Sequence, residues 1–250
     1  MTSNIDLEKL DLFHSHGDAY ATVAVNAHRE TWPVASEHFT SIIERYFFEL
    51  TGSLPENKEI KDMLRRFTGQ AKFAGREQKV FTRVGEHDDS IYINLAGPEW
   101  KSVKISPTGW EIVSDPTAKF LRPQGMTALP DPVRGGSLDE LERFTNLQNE
   151  DRILLRAVLV AAFRPRGPYP ITLLYGEQGS AKSTLTRVIR SLIDPSQESI
   201  MAPPKSVRDL CIASDKLWLL CFDNFSDINP QLSDALCRKP ERGPAPIRRA

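Results

Sequence analysis

Hydrophobic and polar positions alternate with a period of two along residues 19–26, which predicts a strand. The period then lengthens to that of a helix. Phe39, Ile42, Ile43, Tyr46, Phe47 and Leu50 make one apolar stripe between a capping Ser36 and a stop at Thr51-Gly52. Ile60, Met63, Leu64 and Phe67 mark a second helix over residues 56–73. The short runs 79–84, 91–95, 100–106 and 110–114 follow as strands, with turns at His87-Asp88-Asp89 and Pro107-Thr108-Gly109. This order predicts a small α+β domain over residues 1–120.

Pro123, Pro130, Pro132 and the pair Gly135-Gly136 then interrupt both periods, so residues 121–137 are expected to be a linker between domains. Ser137 and Glu140 have the spacing of a capping box, which predicts a helix starting at Leu138. A further helix, 149–163, is apolar nearly all round and is expected to be buried. Pro165, Gly167, Pro168 and Pro170 end it, and an apolar strand follows at 171–175.

Composition narrows the class without naming a partner. With 40% hydrophobic and 26% charged residues in 250, the chain has enough apolar material for a packed core and is not wholly disordered. A net charge of -1 gives no global electrostatic reason to expect nucleic acid, though a local basic strip survives such an average. Cys211, Cys221 and Cys237 show no paired metal spacing and no disulfide framework, which fits a reducing cytoplasm. The longest apolar stretch, 153–163, is broken by Arg156 and is far shorter than the ~20 residues of a membrane helix. A soluble cytoplasmic chain with no membrane partner is therefore expected.

The most informative chemistry follows the strand at 171–175. Gly176-Glu177-Gln178-Gly179-Ser180-Ala181-Lys182-Ser183-Thr184 has the P-loop pattern, with Ala181 where the second glycine is usual, and a helical stripe of Leu185, Val188, Ile189 and Leu192 comes next. Glycines let a backbone wrap round a phosphate with its N–H groups inward, and the new helix adds positive potential. Lys182 is expected to reach the β- and γ-phosphates of ATP, Ser183 to ligand Mg²⁺, and Thr184 to pack or touch the α-phosphate. An ordinary strand-turn-helix is the plain alternative. A second carboxylate for Mg²⁺ is expected at the end of a Walker B strand, and residues 217–224 end on Asp223 and Asn224. Many ATPases carry a catalytic glutamate at the position of Asn224, and an amide cannot take a proton from water, so slow or differently assisted hydrolysis is expected.

Taken together, GEQGSAKST, the preceding RPRGPYP and the later LWLLCFDNFSDINPQLSDALCR resemble ATP-binding proteins of phages and prophages related to superfamily 3 and primase-helicase ATPases. HRETWPV and SPTGWEIVSDP are similar to the front portion of those proteins, so the resemblance runs from about Asp18 to Arg238. It implies an α/β P-loop NTPase of AAA+-like type over residues 138–237, working on DNA as a homo-oligomer and linked to replication. Such proteins continue past DALCR into a sensor strand and an arginine finger. Here residues 238–250 have no apolar periodicity and are expected to be a disordered tail, with the sheet left incomplete and one central strand exposed, as after a frameshift or truncation. Little or no hydrolysis is expected in consequence.

Other candidates have plainer explanations. Lys72, Arg76, Lys79 and Arg83, with Lys101 and Lys104 nearby, could face DNA but read better as solvated charge. His14 and His16 are expected in a mobile N-terminal loop, and Arg164 and Arg166 on the surface of a proline-rich loop. Phe39, Tyr46 and Phe47 read as core. The leading function is an ATP-binding replication ATPase of a phage or mobile element. A non-hydrolysing regulatory module, or a degraded relic, is the alternative; a small-molecule P-loop kinase would need an arginine-bearing lid.

Overall fold

The structure is a computed structural model that describes residues 5–224 and 230–237. Strands β1 (Ile5–Ser15), β2 (Asp18–Val25) and β3 (His28–Pro33) form an antiparallel sheet in sequence order. His16 and Gly17, both at positive φ, make the tight turn that sets Ser15 opposite Asp18. His14 is therefore not in a loop: it pairs with Ala19, and its N–H donates to Arg76 O at 3.1 Å. Two helices, α1 (Glu37–Thr51) and α2 (Asn57–Phe73), lay their apolar faces on this sheet, where Ala21, Val23, Val34, Phe39, Ile43 and Ala71 are buried together. Tyr46 and Phe47 pack against the same cluster.

Local chemistry fixes these helices. The Ser36 side chain accepts from Phe39 N–H at 3.2 Å, and Gly52, at φ 74, turns its N–H back to Phe48 O at 2.9 Å. At the start of α2, Glu56 and Glu59 cap one another reciprocally.

The run expected as one strand at 79–84 divides into β4 (Val80–Phe81) and β5 (Val84–His87). Arg83 stands between them, fully buried, where the run changes partner: Phe81 O accepts from Leu121 N–H and Arg83 O from Asn94 N–H, both at 2.8 Å. With β5, the strands β6 (Ser90–Asn94), β7 (Ser102–Ser106) and β8 (Gly109–Val113) make an antiparallel meander, while β4 pairs in parallel with β9 (Lys119–Phe120).

The segment expected as a linker has partners on both sides. Leu121 N–H donates to Phe81 O and Leu129 N–H to Leu95 O, both at 2.8 Å, while Thr127 N–H donates to Pro195 O at 3.0 Å. Arg122 lies over the Trp100 ring, 3.7 Å from its centroid, and burial pulls its pKa down to about 10. Val84 shares a buried cluster with Leu155, Leu159, Leu185, Ile189, Ile193 and Trp218, so the expected boundary is crossed by packing as well.

The later elements are α3 (Asn149–Ala162), α4 (Lys182–Ile193), α5 (Val207–Lys216) and α6 (Pro230–Cys237). The helix expected from Leu138 is a 3-10 turn, Leu138–Phe144. Ser137 spends its hydroxyl on Asp139, accepting from its N–H and donating to its carboxylate, and so does not close a box with Glu140. Nor is α3 buried all round: Leu155 and Leu159 are covered, but Ile153, Leu154 and Val160 are each more than 60% exposed. Only one side of it meets α4 and Trp218. Among the described residues no helix is long and apolar enough to cross a membrane.

Candidate functional site

Residues 171–175, expected as an apolar strand, form no ladder. Leu174 packs into the cluster behind α4, whereas Ile171, Leu173 and Tyr175 face outward, Tyr175 at 90% exposure. A strand needs a partner for its backbone groups, and among the described residues none lies beside this one. The sheet expected around the loop is thus not formed among those residues.

The loop that follows is shaped by its backbone. Gly176 (φ 151), Gly179 (φ 82) and Ala181 (φ 61) all have positive φ, and a Cβ on Gly176 would stand 2.9 Å from Ser180 Oγ. The first backbone bond of α4 runs from Leu185 N–H to Ala181 O at 2.9 Å, so the N–H groups of Lys182, Ser183 and Thr184 precede the helical ladder. Glu177, Gln178 and Thr184 are exposed. Ala181 pays for its left-handed conformation, because its Cβ crowds the following carbonyl. Ala181→Gly is expected to stabilise the fold by about 1 kcal/mol in urea denaturation. A loss of stability would contradict a left-handed residue there.

Lys182 Nζ donates to Gly176 O at 2.9 Å, Glu177 O at 2.7 Å and Ser180 Oγ at 3.2 Å, so the amine is drawn over the loop. One residue on, Ser183 Oγ donates to Asp223 Oδ2 at 3.3 Å. Asp223 Oδ1 accepts from Asn224 N–H at 3.0 Å, and Asn224 itself has φ 53. A hydroxyl and a carboxylate from distant parts of the chain thus meet beside a lysine at the start of a helix. They are hard oxygen donors of the kind Mg²⁺ takes.

Asp223 is held in place from two directions, although 217–222 is not the regular strand expected. One bridge joins Phe222 to Met201, with Met201 N–H donating to Cys221 O at 2.9 Å and Asp223 N–H to Met201 O at 3.0 Å. Upstream, Asp194 Oδ2 accepts the N–H groups of Trp218 (2.8 Å) and Leu219 (3.1 Å), which takes those donors out of any ladder. Cys221 is buried, and burial pushes its thiol pKa up.

Asp194 belongs to a buried charged hub that the sequence reading missed. Arg83 Nε donates to Asp194 Oδ1 at 3.0 Å, and its other nitrogens donate to the carbonyls of Asn94 (2.9 Å), Thr127 (3.0 Å) and Pro195 (3.3 Å). Desolvation lowers the Arg83 pKa while Asp194 opposes that shift. Arg190, also buried, brings Nη2 within 3.7 Å of Asp194 Oδ2. The available signal was an arginine set among Val80, Phe81 and Val84.

The remaining candidates separate. Arg83 leaves the proposed basic surface for the core, and Lys79 pairs with Glu86 at 3.5 Å. Arg166 donates Nε to both oxygens of Glu86 at 2.8 Å, and Arg164 is exposed. Lys101 pairs with Glu99, and Lys104 with Glu111 at 3.7 Å. Among the described residues no three His, Cys, Asp or Glu side chains gather as a metal site.

Residues 138–250 match a family model described as "Actinomycete integrative conjugative element replication protein". The match begins at the residue after the expected linker and runs through 238–250, the stretch expected as a tail, which lies outside the described residues. No curated protein and no solved structure matches the chain. Over its second half, then, the chain is similar to replication proteins of a mobile element.

Proposed function

We propose that residues 138–237 are the nucleotide-binding part of a mobile-element replication protein, and that the loop 176–184 takes ATP with Mg²⁺. The observation that carries this reading is the approach of Ser183 Oγ to Asp223 Oδ2, 3.3 Å apart, next to Lys182 at the N-terminus of α4. Loop N–H groups and the helix N-terminus would receive the phosphates, and Lys182 would exchange its loop carbonyl partners for phosphate oxygens. Ser183 and Asp223 would hold Mg²⁺, which supplies charge neutralisation between the β- and γ-phosphates. In this reading the domain is an α/β P-loop NTPase of AAA+-like type, acting on DNA as a homo-oligomer.

Asn224 favours a second reading for turnover. Its left-handed backbone is one that asparagine adopts readily, and its N–H steadies Asp223, so it serves the geometry without serving as a base. A nucleotide-binding module with slow or no hydrolysis fits that arrangement. Binding is tested by thermal unfolding. ATP with Mg²⁺ at a hundred times its Kd is expected to add about 2.7 kcal/mol to stability. No such gain is expected for Lys182→Ala; equal gains in both would refute the site.

A further inference from the structure

Outside the nucleotide site, α2 carries charge that the fold does not use. Lys58, Lys61, Arg65 and Lys72 recur at spacings that place them on one face, opposite the side where Ile60, Met63, Leu64, Phe67 and Ala71 meet the sheet. All four are exposed, and none has an ion-pair partner among the described residues. Asp62 lies on the same face, one turn from both Lys58 and Arg65, so four cations face one carboxylate there, while Glu59 is occupied in capping Glu56 N–H at 2.9 Å. From Lys58 to Lys72 the line runs about 21 Å along the helix axis.

Two further features sit on the same face. Gly69 occupies the stripe between Arg65 and Lys72, and a Cβ there would meet nothing closer than the Phe73 ring at 4.0 Å. A mid-helix glycine costs roughly 0.5–1 kcal/mol, and no packing inside the protein requires this one. Phe73 is 90% exposed, and its ring leans back toward the bare backbone of Gly69. A large aromatic ring thus lies in solvent on a line of cations, over a helix face left flat.

We propose that this face of α2 binds single-stranded nucleic acid, with backbone phosphates along Lys58, Lys61, Arg65 and Lys72 and a base stacked on Phe73. Cations tracking a backbone and an aromatic ring under a base are the two elements of sequence-tolerant single-strand binding. The residues lie outside the stretch similar to replication proteins, and the inference does not depend on ATP.

Fluorescence anisotropy of a labelled thymidine oligonucleotide with the full chain, without nucleotide, tests it. The logarithm of affinity is expected to fall with the logarithm of salt at a slope of about -2.8, four contacts at ~0.7 each. Replacing Lys58, Lys61, Arg65 and Lys72 together by glutamine should weaken binding at least a hundredfold with the circular dichroism spectrum unchanged. Phe73→Ala should weaken it about tenfold. Undiminished binding by the quadruple variant, or none by the wild type at ~10⁻⁴ M, would overturn the proposal. So would tighter binding to a duplex with Phe73→Ala neutral, or displacement of the oligonucleotide by vesicles of anionic lipid.

Discussion

Arg83→Met is expected to destabilise the protein by about 3–5 kcal/mol, because it takes from the buried Asp194 carboxylate its hydrogen-bonded cation and leaves only Arg190, 3.7 Å away. Asp194→Ala should cost at least as much, since it also strands the N–H groups of Trp218 and Leu219. Against a typical total of about 5–15 kcal/mol, either loss is large. The double variant should cost less than the sum of the two by more than 1 kcal/mol, because the Arg83–Asp194 contact is then lost once rather than counted twice, while Arg190 is left without its carboxylate just as in Asp194→Ala. Urea denaturation of the four proteins measures this; additive effects below 1 kcal/mol would refute the hub. The consequence reaches the site. Asp194 caps the far end of α4, whose first turn holds Ser183, and its other oxygen anchors the segment that ends at Asp223. Arg83 ties both to the meander.

Asp223→Ala is expected to weaken Mg²⁺ in the ATP complex by about 10–100-fold, the usual cost of removing a carboxylate that supports a metal. ATP alone should bind the variant as it binds the wild type, because Lys182 and the loop N–H groups remain. Ser183→Ala should behave similarly, since its hydroxyl is the other oxygen of the pair. Titrating Mg²⁺ into each protein with saturating ATP separates metal from nucleotide. An unchanged Mg²⁺ midpoint in both variants would remove Ser183 and Asp223 from the metal site.

Most features held by neighbouring residues were legible in the sequence, the 3-10 turn after Ser137 being an exception, and those held by distant residues were not. Ser36 and Gly52 announce both ends of α1 because their capping bonds are local. The loop 176–184 announces itself by glycines and a lysine at fixed spacing. β1 escaped because its apolar period slips between Leu7 and Leu10, where its register with β2 also shifts. β3 escaped because its start is polar: His28 and Glu30 bond one another at 2.9 Å, and Glu30 accepts from Trp32 Nε1 at 2.8 Å. The strand expected at 171–175 has the apolar run of one, yet an apolar run says nothing of a neighbour to pair with. Arg83 and Asp194 are 111 residues apart, and no local pattern links them.

The central claim is that the loop 176–184 binds ATP through Lys182. Its most direct measurement is an equilibrium titration of a fluorescent ATP analogue, with Mg²⁺, into the wild type and Lys182→Ala, both checked for identical folding. Saturable binding by the wild type that is abolished in the variant is the expected result. Equal binding by the two proteins, or none by the wild type, would contradict it.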